Sequence, residues 1–153
     1  YKAFPEVGGI VHTHSTEGVS WAQAGRDIPC YGTTHADTFY GAIPCARALT
    51  PKEINGEYEK ETGKVIIEEF KKRGLDPLAV SGVTVRNHGP FAWGKDEKSA
   101  VYNAVVLEEA ARMARYTESI NPEVEEVPQA LKDKHYLRKH GKNAYYGQKG
   151  DSH

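Results

Sequence analysis

The chain has 153 residues, 39% of them hydrophobic and 27% charged, an ordinary composition for one globular domain with a sizeable core. Twenty basic residues against 21 acidic ones leave a net charge of −1, which excludes a globally basic nucleic-acid binder and gives no pull toward an anionic membrane. No apolar run approaches the roughly 20 residues that span a bilayer, and Cys30 and Cys45 lack metal-type spacing and are too few for a disulfide framework. With no signal peptide visible, the expectation is a cytoplasmic protein that keeps both thiols reduced.

Residues 8 to 14, "GGIVHTH", read as a short buried strand. The small-residue segment "STEGVSWAQAG" suits a helix that stops at Gly25. "DIPCYGTTHADTFYGAIPC" is loop and strand, punctuated by Gly and Pro. Thr50 and Glu53 form a capping box with Pro51 at the first helical position. The helix they open is expected to run to Gly74, with Ile54, Tyr58, Val65, Ile66 and Phe70 on one apolar face. Gly63 inside it costs roughly 1 kcal/mol against alanine. "SGVTVRNHGPFAWG" predicts a strand, a Gly89-Pro90 turn and a second strand. Asp96 caps a long helix in which Ala100, Ala104, Leu107, Ala111 and Ala114 recur at helical spacing, a stripe suited to close packing on a sheet. "NPEVEEVP" is a linker, and Pro128 opens a last helix to about His140, closed by Gly141. Helices alternating with strands predict a layered α/β or α+β domain.

Side chains two apart on a strand point the same way, so His12 and His14 present both imidazoles on one face. Zinc and similar ions take imidazole nitrogens at about 2.0–2.1 Å. From the pair alone, a metal site and a pairing of one exposed with one core histidine are equally good readings. His88 at the end of "VTVRNH" tilts the balance, because a catalytic metal typically has three protein ligands and one open position. In "TTHADTFYG", Asp37 is either a helix cap or Asx turn, or a general acid/base. The neighbouring His35 is a weaker ligand candidate, since nothing pairs it at metal-type spacing. The tail "KHYLRKHGKNAYYGQ" interleaves basic and aromatic residues, and its paired tyrosines suit either an interface anchor or a phenol brought to an active site.

Together, "GGIVHTHS", "GTTHADTFYGAIPC", "INGEYEKETG", "NHGPFAWGK" and "KHYLRKHGKNAYYGQ" resemble the class II aldolase/adducin family, from the first residues to Gln148. The "THAD" loop and the double-tyrosine tail resemble its ketopentose-phosphate 4-epimerases more than its aldolases. The resemblance implies a three-layer α/β/α domain of the α/β (α+β) class, with a mostly antiparallel central sheet. It makes residues 1–148 the C-terminal two-thirds of a single domain and 149–153 a tail. It implies a divalent metal, usually zinc, on His12, His14 and His88. It implies an acid/base pair of Asp37 and Tyr146, with the tyrosine reaching a neighbouring subunit's site, and His135 lining that site.

The implied partners are a sugar-phosphate substrate and three further copies in a homotetramer with sites between neighbours. The implied reaction interconverts L-ribulose 5-phosphate and D-xylulose 5-phosphate, as in arabinose catabolism. Direct deprotonation at C4 would leave a carbanion with no adjacent carbonyl. Retro-aldol cleavage of C3–C4 instead leaves an enediolate, whose charge a metal can hold while the aldehyde turns and the bond re-forms. Full-length members carry a further N-terminal segment with phosphate-binding loops and a carboxylate metal ligand, so the site in this sequence is expected to be incomplete. The alternatives are a class II sugar-phosphate aldolase, which lets the aldehyde leave, and an inactive truncated or scaffolding adducin-like domain.

Overall fold

The computed structural model describes residues 1–142 and 144. Strand β1 (Gly9–His12) is shorter than the sequence suggests, although the Thr13 N–H still reaches the Pro90 carbonyl at 3.4 Å. Helix α1 (Thr16–Ala24) ends where expected, at Gly25, whose φ of 69° lies in the left-handed region that glycine enters without a Cβ clash. Within the stretch expected to be loop and strand, Thr33–Ala36 forms one helical turn, α2, and Cys45–Ala46 forms β2.

The Thr50–Glu53 capping box opens α3 (Pro51–Ile54). The single helix expected from Thr50 to Gly74 is instead two, because Asn55-Gly56, a pair that favours turns, interrupts it before α4 (Tyr58–Arg73). Ile54 and Tyr58 are correspondingly exposed, whereas Val65, Ile66 and Phe70 are buried. Strands β3 (Gly82–Val85) and β4 (Gly89–Gly94) precede α5 (Glu97–Ile120), whose Asp96 cap accepts the Ser99 N–H at 2.7 Å. Helix α6 (Gln129–His140) follows Pro128.

The sheet order is β1-β4-β3-β2, with β4 antiparallel to both neighbours and β2 parallel to β3. It is a mixed, mostly antiparallel sheet with a helical layer on each face. Alternation along the strands decides which side chain meets which layer. Val83, Val85 and Trp93 pack with Val65, Ile66 and Phe70 of α4. Ala92 faces the other way, toward Trp21 of α1 and Leu107, Ala111 and Ala114 of α5. Both buried indoles are satisfied, Trp21 donating to the Ala111 carbonyl at 3.0 Å and Trp93 to that of Pro77 at 2.7 Å. The alanine stripe of α5 lets it approach closely, and Gly94 marks the tightest point: a Cβ there would lie 2.5 Å from the Ser99 Cβ.

Helix α6, like the single turn α3, buries no side chain. It is held by the Tyr40–Asp133 hydrogen bond, by the Tyr40 and Tyr136 rings at 4.6 Å, and by contacts to Asp37.

One substitution made at two glycines should act with opposite sign. Gly94→Ala forces Ser99 and the start of α5 apart and should destabilise the fold by about 1–3 kcal/mol. Nothing lies within 4 Å of a Cβ at Gly63, in the body of α4. Gly63→Ala should therefore stabilise by up to about 1 kcal/mol. Urea midpoints of the two variants against the parent check both signs.

Candidate functional site

His12 is the last residue of β1, and His14 lies two residues on, before α1 begins. Their Nε2 atoms are 3.2 Å apart, and their rings meet edge to face at 5.0 Å. His88 joins them from the β3–β4 hairpin, its ring 4.7 Å from His12 and 5.3 Å from His14. One ligand nitrogen from each of the three lies within 4.8 Å of the others. Three imidazoles converging in this way can hold a metal ion.

The hairpin is built differently from the expectation. The turn is Arg86-Asn87-His88, and Gly89 and Pro90 already belong to β4. The Val85 carbonyl accepts the His88 N–H at 2.9 Å, and Asn87 takes φ 63°, a left-handed conformation that asparagine enters more readily than most residues. Pro90, which has no N–H to give a ladder, is tolerated near a strand start. Its carbonyl accepts the His12 Nδ1–H at 2.9 Å, which fixes that tautomer and leaves Nε2 as the lone-pair nitrogen. Phe91 stacks on the His12 ring at 4.0 Å.

His88 is half-buried. Desolvation first, then the neighbouring His12 and His14, hold its pKa below the ordinary histidine value, favouring the neutral form that a metal requires. The Tyr58 hydroxyl lies 3.3 Å from His88 Nδ1. Periodicity had placed Tyr58 on an apolar face. Its proximity to His88 comes from the break before α4, and only the Asn55-Gly56 pair in the sequence hints at that break.

Asp37, at the C-terminal end of α2, belongs to a second cluster. Its Oδ1 accepts from His135 Nδ1 at 3.0 Å, Arg138 Nη2 lies 3.1 and 3.2 Å from its two oxygens, and Lys139 Nζ is 3.7 Å from Oδ2. His140 donates to the Asp37 carbonyl at 2.8 Å. Asp37 and His135 are thus brought together, on elements other than those of the triad, whose contacts run to Tyr58, Pro90 and Phe91. Tyr146 lies outside the described residues. His35 is apart from the triad: it is 4% exposed and donates from Nε2 to the Gly41 carbonyl at 2.6 Å, with Nδ1 buried and unpartnered.

A mixed sheet between helical layers, with three histidines converging at one end, defines a known class. A model of the class II aldolase and adducin N-terminal domain matches residues 1–115, and the chain belongs to that family. It is 57% identical over 149 residues to proteins named L-ribulose-5-phosphate 4-epimerase UlaF from Salmonella paratyphi B and from Salmonella paratyphi A. The match takes in 97% of this chain and 64% of each relative, so the chain spans just under two-thirds of their length. Among solved structures, an L-fuculose 1-phosphate aldolase superposes with a TM-score of 0.64 at 17% identity, covering 84% of this chain and 54% of that one. An L-fuculose 1-phosphate aldolase from Glaciozyma antarctica PI12 gives 0.65 at 22% identity, over 90% and 46%. At these identities the likeness is one of fold. No helix among the described residues is long and apolar enough to cross a membrane.

Burial, opposed by the Gly41 hydrogen bond, takes the His35 pKa down to about 4 from an ordinary 6.5. Below pH 6.5 the unfolded chain gains a proton that the fold refuses. This contribution is therefore fully present above pH 6.5 and is lost as the pH falls toward 4. Urea unfolding of metal-free protein at pH 7 and pH 5 should show a smaller loss of stability in His35→Gln than in the parent. The residual slope includes His88, whose shift has the same sign.

Proposed function

We propose that this chain carries the metal triad and an acid/base half-site of a 4-epimerase that interconverts L-ribulose 5-phosphate and D-xylulose 5-phosphate in the cytoplasm. The observation that carries the reading is the convergence of His12, His14 and His88 at the head of α1. The relatives named L-ribulose-5-phosphate 4-epimerase support the choice of substrate.

The three imidazoles would hold a divalent ion, zinc by preference for this donor set. When bound, that ion supplies Lewis-acid stabilisation of negative charge developing on the sugar's oxygens as C3–C4 breaks. The chain's own residues do the remaining work. The Pro90 carbonyl holds His12 in one tautomer, and the Tyr58 hydroxyl lies within hydrogen-bond reach of His88 Nδ1. Asp37 moves the proton of the C4 hydroxyl on one face of the sugar, and Tyr146 does so on the other. Two groups are needed because the two epimers present that hydroxyl on opposite faces. His135, bonded to Asp37, orients the carboxylate and lines the substrate. Arg138 and Lys139 beside it place positive charge where a phosphorylated sugar would arrive. We extend the proposal to a homotetramer in which the complete site lies between neighbouring copies.

The test supplies zinc and L-ribulose 5-phosphate to the purified chain and follows the products. Formation of D-xylulose 5-phosphate supports the epimerase. Net release of an aldehyde fragment would replace it with an aldolase, and absence of stoichiometric metal would favour a scaffold. Asp37→Asn should lower interconversion by about 10²–10⁴-fold, the usual range for removing a positioned acid or base, with the metal retained. His88→Ala should instead remove the metal and the activity together.

A further inference from the structure

Helix α1 starts immediately after His14, yet its own cap residue does not cap it. Ser15 is at the N-cap position with no side-chain bond into the first turn, and its hydroxyl is instead 3.2 Å from that of Thr13. Two of the first-turn N–H groups are taken by a residue 90 and 91 positions away. Glu108 of α5 accepts the Glu17 N–H on one carboxylate oxygen at 2.9 Å and the Gly18 N–H on the other at 3.0 Å. A carboxylate suits this place because the N-terminus of a helix carries unsatisfied donors and partial positive charge.

What Glu108 holds still is the seat of the triad. A Cβ on Gly18 would fall 2.7 Å from the Pro90 ring, so α1 rests directly on the residue whose carbonyl orients His12. A Cβ on Gly89 would fall 3.0 Å from the Thr13 carbonyl oxygen, 3.3 Å from Val19 and 3.8 Å from the His14 ring. At the other end of α1, the Ala22 carbonyl accepts the Asn87 N–H at 3.1 Å. The helix therefore lies along the whole turn that carries His88, and its first residue follows the loop that carries His14. A shift of α1 moves His14 relative to both other imidazoles.

We infer that Glu108 is a positioning residue for the metal triad, acting through the first turn of α1. The inference rests on the metal reading above. Loss of an outer residue that orients metal ligands typically lowers metal affinity about 10–100-fold.

The probe is Co²⁺, titrated in competition with a chelator while its visible spectrum reports ligand geometry. Glu108→Ala should bind Co²⁺ about tenfold or more weakly, with an altered spectrum. Glu108→Gln, which keeps one acceptor oxygen, should fall between it and the parent, and it serves as the readout if Glu108→Ala does not fold. Glu17→Gln is the control, because it removes the charge and one of the two hydrogen bonds from Arg115 (both 2.7 Å) that tie the same two helices while leaving the cap intact. It should lower the melting temperature without changing Co²⁺ affinity or spectrum. Unchanged binding in both Glu108 variants would overturn the inference and spare the metal reading, as would an equal loss in Glu17→Gln. Failure of the parent itself to bind Co²⁺ would sink the metal reading and this inference with it.

Discussion

The hydrogen bond from His12 Nδ1 to the Pro90 carbonyl, 2.9 Å long, is the contact on which the candidate site depends. It joins the edge strand β1 to the hairpin between β3 and β4, and it selects the tautomer that turns Nε2 toward His14 and His88. The bond forms because of where a proline sits. A residue without an N–H can open β4 and still offer its carbonyl, which the His12 imidazole and the Thr13 N–H share. Phe91 on the next position stacks beneath the same imidazole. Three consecutive residues, His88 to Pro90, thus supply one member of the triad, the space for a second and the anchor for a third.

The two halves of the candidate site are supported in different ways. The triad stands on elements tied into the core: β4 is an interior strand, and α1 is packed through Trp21 against α5. Asp37 depends on α6, which contributes nothing to the three core clusters and is fixed by charge, hydrogen bonds and ring contacts. Such contacts are individually modest near solvent, so the geometry at Asp37 rests on several acting together: His135, Arg138 and Lys139 at the carboxylate and His140 at the carbonyl.

Signals carried by neighbours in sequence were the legible ones. The stops at Gly25 and Gly74, the Thr50–Glu53 box, the Asp96 cap and the alanine stripe of α5 each depend on a few residues, and each occurs as the pattern implied. Competing local signals were misweighted. Asn55-Gly56 overrode an apolar period that ran through it, and Gly89-Pro90 resembled a turn although Asn87 supplies the left-handed residue. Beyond reach were contacts closed by the fold across 90 residues or more, among them Glu108 on the head of α1 and the α6 cations on Asp37. His12, His14 and His88 were legible as a set because histidine is uncommon and the spacing of the first two is that of a strand. Their meeting still required the β1–β4 pairing that no local pattern encodes.

The absence of any buried side chain on α6 has an evolutionary consequence. A core residue can change only if its neighbours accommodate the new volume, but most of α6 answers to no such constraint. Substitutions there can retune the surroundings of Asp37 while the sheet and the triad stay as they are. The surroundings of Asp37 can thus change through a helix that adds nothing to the core clusters.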